Sequence, residues 1–276
     1  MFKHEFLSSK NNDTVKWAAT LADKKGRDKS SSFIAEGIKL TLEAISASLP
    51  ITHIFVSESK ADAVMSKIEE KLAEKNDLNV RLITLADSAF EKISTEKAPE
   101  GVISVIKHLD FFSNIDIIYK KDFFIARDER VIVLCSVRDP GNLGSVIRSA
   151  VAFGVDRIIL SSDCADVYNP KTVRSAMGSL FRVKISKVSR LEGFIEAFRD
   201  SGRRIFAAEL TENAKSLTDI SLTRSDAVII GNEGHGIPPE ISALCDESVY
   251  IPISGKTESL NASVAAAIFM WEQDKL

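Results

Sequence analysis

The apolar run VIVLCSV at Val131–Val137 is followed by the turn RDPG, an amphipathic stretch and a second apolar run, RIIL at Arg157–Leu160. That order leaves few folds open. Two short β-branched runs on either side of one helical period make a βαβ unit, with parallel strands and a right-handed crossover. Within the helix Leu143, Val146, Ile147, Ala150 and Val151 recur at i, i+3, i+4, i+7 and i+8 and form one apolar face. Asn142 is the expected N-cap, and Gly154 the expected left-handed residue beyond the C-terminus. Further runs at Arg182–Ile185, Arg204–Ala208, Ala227–Ile230 and Ser248–Ile251 alternate with helical patterns, of which Leu191–Ser201 is the clearest. An α/β fold with a parallel sheet covered on both faces is expected there.

The first hundred residues alternate in the same way on a smaller scale. Strands are expected at Phe33–Ala35, His53–Val56, Val80–Leu85 and Val102–Ile106, and helices around Thr14–Ala22, Gly37–Ala47 and Asp62–Lys75. The polar tract KKGRDKSSS, Lys24–Ser32, reads as an exposed basic loop. Residues 109–125 are aromatic-rich and lack a clean period, so the expected division is a domain at 1–108, a linker at 109–125 and a domain at 126–276.

Composition narrows the function classes. With 276 residues, 36 Lys+Arg, 39 Asp+Glu and a net charge of -3, the chain is long enough for two domains and is not a globally basic nucleic-acid binder. A local basic face is still allowed. Three widely spaced cysteines, Cys135, Cys164 and Cys245, suggest neither a disulfide framework nor zinc, and a reducing, cytoplasmic setting is expected. No stretch approaches the roughly 18 apolar residues of a membrane span. His4, His53, His108 and His235 show no metal-ligand spacing, so no metal is expected. Gly255-Lys256-Thr257 ends like a phosphate-binding loop, but Tyr250 stands where the leading glycine belongs. The loop Gly231–Gly236 is ordered GxxGxG rather than GxGxxG, a poor dinucleotide fingerprint.

Three polar loops follow predicted strands, where open α/β sheets bind ligands: RDPGNLGSVIR (Arg138–Arg148), GNEGHGIPPE (Gly231–Glu240) and IPISGKTESLNASVA (Ile251–Ala265). Singly, each also reads as an ordinary turn leading to a helix cap. Together they resemble the three motifs of the SpoU/TrmH family of RNA ribose 2′-O-methyltransferases, within the SPOUT superfamily. Asn142 and Arg148 fit the first motif. Gly231, Glu233, Gly234 and Gly236 fit the second, and Ile251, Pro252, Gly255, Ser259, Leu260 and Asn261 the third. Ser145, Ile253 and Ala262 depart from the usual Thr, Met and Val. The first block, with FIAEGIKLTLEA and PEGVISVIK, resembles the small α/β/α RNA-binding domain that many members carry.

The resemblance implies methyl transfer from S-adenosylmethionine to a ribose 2′-hydroxyl of RNA, ribosomal RNA being the expected substrate. The alternatives are the same chemistry on tRNA, or a non-catalytic RNA-binding or ribosome-assembly factor with the same fold. It implies a C-terminal trefoil knot holding the three loops. Catalytic roles fall to Arg148, Glu233, Asn142, Ser259 and Asn261, with Glu233 orienting Arg148 or the ribose. Main-chain groups of Gly231, Ile251 and Leu260 would hold the cofactor; at 231 a glycine lets the backbone approach a ligand closely. Arg148, always protonated, is expected to hold phosphate and developing alkoxide charge. The final helix, Leu260–Trp271, is apolar around most of its circumference, which points to burial on more than one side, either in a homodimer interface, as in the family, or in a monomer's core. Lys24, Lys25, Arg27, Lys29, Arg138, Lys171 and Arg174 are candidate RNA phosphate contacts.

Overall fold

The computed structural model describes residues 4–75, 79–110, 112–115 and 125–275. Residues 111 and 116–124 of the expected linker lie outside these. By their contacts the residues form two compact units, one of the chain up to Leu109 with Asp166–Phe181, the other of Asp110–Ala165 with Arg182–Leu276.

The first unit runs β1 (His4–Leu7), α1 (Asp13–Thr20), α2 (Lys24–Ser30), β2 (Ser32–Glu36), α3 (Ile38–Ser46), β3 (Ile51–Ser57), α4 (Ala61–Ala73), β4 (Arg81–Leu85), α5 (Asp87–Ile93) and β5 (Val102–Lys107). Its sheet has the order β1-β4-β3-β5-β2. β1, β4 and β3 are parallel, and β5 is antiparallel to both β3 and β2. Val102–Ile106 is buried throughout rather than at alternate positions, the mark of a strand covered on both faces. On one face Phe55, Ile83, Leu85, Ile103 and Val105 meet Val15 and Ala18 of α1 and Ala89, Phe90 and Ile93 of α5. On the other, α3 and α4 pack together and bury Leu40, Ala44, Val64, Ile68 and Leu72.

The expected basic loop Lys24–Ser32 is instead helix α2, closed by Ser31 in the left-handed conformation at φ 46°. Arg27 points inward and is 2% exposed. Its guanidinium donates to the Leu21 and Ala22 carbonyls and to the Asp166 carboxylate, the last at 2.7 Å. The buried charge is tolerated because it is paired with Asp166 and four of its five N–H groups find acceptors. The tract shows no hydrophobic period because the side chain it buries is an arginine. Arg27 is thereby removed from the RNA-contact candidates.

The second unit runs β6 (Phe112–Ile115), β7 (Val131–Leu134), α6 (Pro140–Ala152), β8 (Arg157–Leu160), β9 (Lys184–Val188), α8 (Leu191–Asp200), β10 (Ile205–Ala208), β11 (Lys215–Ser216), β12 (Ala227–Ile230), α9 (Pro239–Ser242), β13 (Glu247–Tyr250) and α10 (Ala262–Glu272). Among the described residues these strands form one sheet, ordered β11-β13-β10-β12-β7-β8-β9-β6, with every pair parallel. One face is filled by Phe194, Ile195 and Phe198 of α8 with Ile237 and Ile241, packed on Val131, Val133, Ala207 and Ile229. On the other face α6 packs against α10, and α10 against β12. Gly154 takes the expected left-handed position after α6, at φ 66°. Arg130, 1% exposed at the entry to β7, donates to the carbonyls of Phe153 and Met270, so it satisfies acceptors at the C-terminal ends of both helices.

Between β8 and β9 the chain forms α7 (Pro170–Ala176), which packs on β2 within the first unit. The Tyr168 ring stacks on Phe33 at 4.5 Å and on His108 at 4.3 Å, and its hydroxyl accepts from the Leu109 N–H at 2.8 Å. Within one chain the last helix does not meet the monomer-core alternative for its apolar circumference. α10 buries Ala262, Ala266, Phe269 and Met270, while Val264 and Trp271 are 47% and 53% exposed.

Candidate functional site

The sharp turn after β7 is held by hydrogen bonds that fix Ser136 at φ 57°, a conformation side chains rarely adopt. Its N–H donates to Ser161 Oγ at 2.8 Å, its hydroxyl to Asp163 at 2.7 Å, and its carbonyl accepts from Asn232 Nδ2 at 2.8 Å. Burial pushes the Asp163 carboxyl up, but hydrogen bonds from Arg138, Ser161 and Ser136 outweigh this and hold it at about 2. Asp163 thus stays ionised and anchors Arg138 at 2.8 Å.

Helix α6 then starts at Pro140, whose missing N–H costs nothing at that position. The N-cap is Asp139, not Asn142: the Asp139 carboxylate accepts from the Asn142 N–H at 2.8 Å. The Asn142 side chain is therefore free for other partners. Its Nδ2 donates to Glu233, and its Oδ1 accepts from Asn261 Nδ2 at 3.0 Å. Asn261 is the N-cap of α10, its Oδ1 accepting from the Ser263 N–H at 2.9 Å. One asparagine joins all three polar loops.

The loop after β12 folds back on itself. Asn232 and Gly236 exchange main-chain hydrogen bonds at 3.0 and 2.9 Å, and Asn232 Oδ1 accepts from the N–H groups of Gly234 and His235. A Cβ on Gly231 would lie 2.6 Å from the Gly236 carbonyl carbon and 2.8 Å from Ile237. Glycine at 231 is thus required by the loop's own closure, a different reason from close approach to a ligand.

The loops after β12 and β13 line a cavity of about 820 Å³ at the C-terminal ends of β10, β12 and β13. Its size is that of a small-molecule site, for which about 300–1,000 Å³ is usual. Gly231, Ile251, Leu260, Glu233 and Ser259 all line it, with apolar walls from Ile230, Val249 and Phe269. Three carboxylates, Glu209, Glu233 and Glu258, face it, and among the described lining residues there is no lysine or arginine. Such a lining suits a cationic or donor-rich ligand and repels a polyphosphate. Among the described residues the main chain of Pro252–Leu260 makes no backbone–backbone hydrogen bond, so its polar groups remain available beside the cavity.

Arg148 lies apart from this arrangement. Six residues beyond Asn142 on one helix, it is displaced by about 9 Å along the axis and about 120° around it. It is exposed and forms no hydrogen bond or ion pair among the described residues. Of the two expected partners of Glu233, Arg148 and the ribose, the structure does not bring Arg148 to it; Glu233 bonds Asn142, because the Asp139 cap frees that asparagine to reach it. Ser259 engages only through its carbonyl, which accepts from Thr257 Oγ1 at 3.2 Å. Two further RNA-contact candidates are already paired: Arg138 with Asp163, and Arg174 with Glu96. No group of three or more His, Cys, Asp or Glu among the described residues has metal-binding proximity.

Several functional residues escape a reading of the chain. Asp139 and Asn232 carry the signals of a helix cap and an Asx turn, and either was legible by spacing. Glu209 directly follows β10 at the sheet's C-terminal edge, and that position was its only signal.

Comparison with known proteins bears on the whole chain. Residues 129–271 match the model of the SpoU rRNA Methylase family, and residues 12–104 that of the MRM3-like substrate binding domain. The chain is 29% identical over 265 residues to the 23S rRNA (guanosine(2553)-2'-O)-methyltransferase RlmP of Bacillus subtilis, covering 96% of this chain and 97% of that one. It is likewise 29% identical over 272 residues to the 23S rRNA (uridine(2479)-2'-O)-methyltransferase of Streptomyces viridochromogenes, covering 96% and 90%. The solved structure of an AdoMet-bound rRNA methyltransferase from Sinorhizobium meliloti is similar with a TM-score of 0.80 at 27% identity, covering 98% and 97%. With a parallel α/β sheet, three polar loops joined through Asn142 beside a cavity and a family match over more than half its length, the chain belongs to the SpoU rRNA methylase family.

Proposed function

We propose that this protein is an S-adenosylmethionine-dependent methyltransferase acting on a ribose 2′-hydroxyl of RNA, with ribosomal RNA as substrate. The observation that carries this reading is the cavity whose lining Glu233 is tied through Asn142 to Asn261. Bound in it, S-adenosylmethionine supplies an electrophilic methyl group on a cationic sulfur. The lining fits that group: main chain around Gly231, Ile251 and Leu260 to hold it, carboxylates to offset its positive charge, and apolar walls for its rings.

The chain's own residues must then prepare an alcohol to attack. Transfer would break the methyl–sulfur bond as the oxygen–carbon bond forms and would release the 2′-hydroxyl proton to solvent water, so the chain's residues must align that oxygen and stabilise the charge it develops. Glu233, fixed by Asn142 at one oxygen, keeps the other for the ribose. Ser259 and Asn261 supply neutral hydrogen bonds that hold the sugar. Arg148, permanently charged and unpaired among the described residues, clamps an RNA phosphate and the developing alkoxide rather than removing a proton.

The finer elements of the reading belong with it. The exposed Val264 and Trp271 of an otherwise apolar α10 support a homodimer through that helix. A trefoil knot is supported by the strand order, in which β13 lies beyond β10 while Asn261, farther along the chain, returns to Asn142 after β7. The unit of residues up to 109 with 166–181 serves to hold RNA and the unit of 110–165 with 182–276 carries out catalysis, in place of the expected division at 108 and 126. Three free cysteines, with burial pushing Cys135 to about 11 and Cys245 to about 12, suit the reducing cytoplasm.

Transfer of labelled methyl from the cofactor to ribosomal RNA tests the activity. Arg148→Ala is expected to abolish transfer and leave thermal stability unchanged; full turnover in the variant would overturn its assigned role. Mapping 2′-O-methylated positions in cells with and without the protein identifies the substrate. A site lost from tRNA instead would overturn the ribosomal assignment.

A further inference from the structure

Glu233, on the cavity wall after β12, bonds Asn142 of the loop after β7, which in turn accepts from Asn261 after β13, and this cluster marks the reacting side of the cavity. β10 lies on the far side of β12 from β7, two strand positions away, which is about 10 Å at the usual spacing. The first residue after β10 is Glu209, and it lines the same cavity.

Glu209 is held as a fixed acceptor. Its N–H donates to the Val249 carbonyl at 3.0 Å. Its Oε1 accepts from the hydroxyls of Ser242 and Ser248, the latter at 2.6 Å, while Oε2 has no hydrogen-bond partner among the described residues. Two serines from different elements, α9 and β13, thus lock one oxygen and leave the other for a ligand. Among the described lining residues no lysine or arginine neutralises it. Two strand positions from the loop that carries Asn142, the Glu209 carboxylate faces the part of the cavity away from that loop, which suits the end of the cofactor remote from its methyl group.

We propose that Glu209 reads the nucleoside end of the cofactor, with Oε2 accepting an N–H or O–H from the adenine amine or the ribose diol. This rests on the reading of the cavity as the S-adenosylmethionine site. Glu209 is a binding and positioning residue and takes no part in moving the proton.

Calorimetric titration of the full-length protein tests it, using S-adenosylhomocysteine, methylthioadenosine and S-inosylhomocysteine. In Glu209→Gln the amide oxygen can still accept from both serines, and an NH₂ donor replaces the acceptor facing the ligand. The variant is expected to bind S-adenosylhomocysteine about tenfold or more weakly. Methylthioadenosine, which keeps the nucleoside and lacks the amino acid, should weaken by the same factor, measured if necessary by competition. The inosyl ligand separates the two donors: the variant's penalty vanishes if the adenine amine is the partner and persists if it is the diol. Ser248→Ala leaves Glu209 in place with one anchor removed, and a smaller loss for the same ligands is expected. Wild-type affinity in Glu209→Gln overturns the proposal, as does a loss seen with S-adenosylhomocysteine and absent with methylthioadenosine. Failure of the wild-type protein to bind S-adenosylhomocysteine counts instead against the underlying reading of the cavity.

Discussion

Asn142 joins the three polar loops because Asp139 caps α6 in its place. Replacing Asn142 with alanine removes the donor to Glu233 and the acceptor for Asn261 without uncapping the helix. Methyl transfer is expected to fall by about 10²-fold, the scale for losing one preorganised polar contact in a site, with stability within about 0.5 kcal/mol of wild type; steady-state kinetics and thermal melting check both. A second residue-scale prediction concerns His53 in the first unit, which packs against Trp17 at 5.0 Å. Burial, and then the Arg81 charge, lower its pKa to about 4. The unfolded chain therefore binds the proton more readily. The contribution of neutral His53 to stability is present above about pH 6.5 and is lost as the pH falls toward 4. An NMR titration of its ring protons should give a midpoint near 4; a midpoint near 6.5 would contradict this packing.

At the scale of elements, periodicity made the larger helices and strands legible and missed those whose stability comes from elsewhere. α6 and α8 showed themselves through apolar faces that now lie in the core. α2 did not, since its one buried side chain is Arg27. The cap of α6 was misassigned by three residues, because Asp139 and Asn142 are both good caps and only the fold settles which side chain turns back. Asp139→Ala should lower stability by about 1 kcal/mol, in contrast to Asn142→Ala. Chemical denaturation of the two variants side by side checks this, and equal losses would refute the assignment. The glycine at 231 was legible as a requirement. Its cause, the Gly236 backbone across the loop, depends on a contact between residues that no spacing rule connects.

At the scale of the whole molecule, the exposed half of α10 is the feature that one chain leaves incomplete. A terminal helix with Val264 and Trp271 in solvent would be amphipathic if it stayed exposed. If this face is the homodimer contact, sedimentation at micromolar concentration gives twice the monomer mass, and Trp271→Glu shifts it toward the monomer. A wild-type monomer would overturn the dimer. Composition alone set a limit of the same scale. A net charge of -3 requires any RNA affinity to come from local basic groups. Four of the candidates, Lys24, Arg27, Arg138 and Arg174, are engaged by Asp28, Asp166, Asp163 and Glu96. Exposed Lys25, Lys29 and Arg148 remain.

The sequence by itself determined the parallel α/β class, the βαβ unit at 131–160 and the three loops that carry the chemistry, since apolar period and motif spacing are local properties of a chain. Tertiary structure alone decided that Asn142 bonds Glu233 and Asn261 while Arg148 stands apart, that Arg27 is buried on Asp166, and that Glu209 faces the cavity with one oxygen held by two serines. These are contacts across 33 to 139 positions of chain. Which polar groups meet at that range depends on strand order and helix packing, and neither leaves a trace in the spacing of residues.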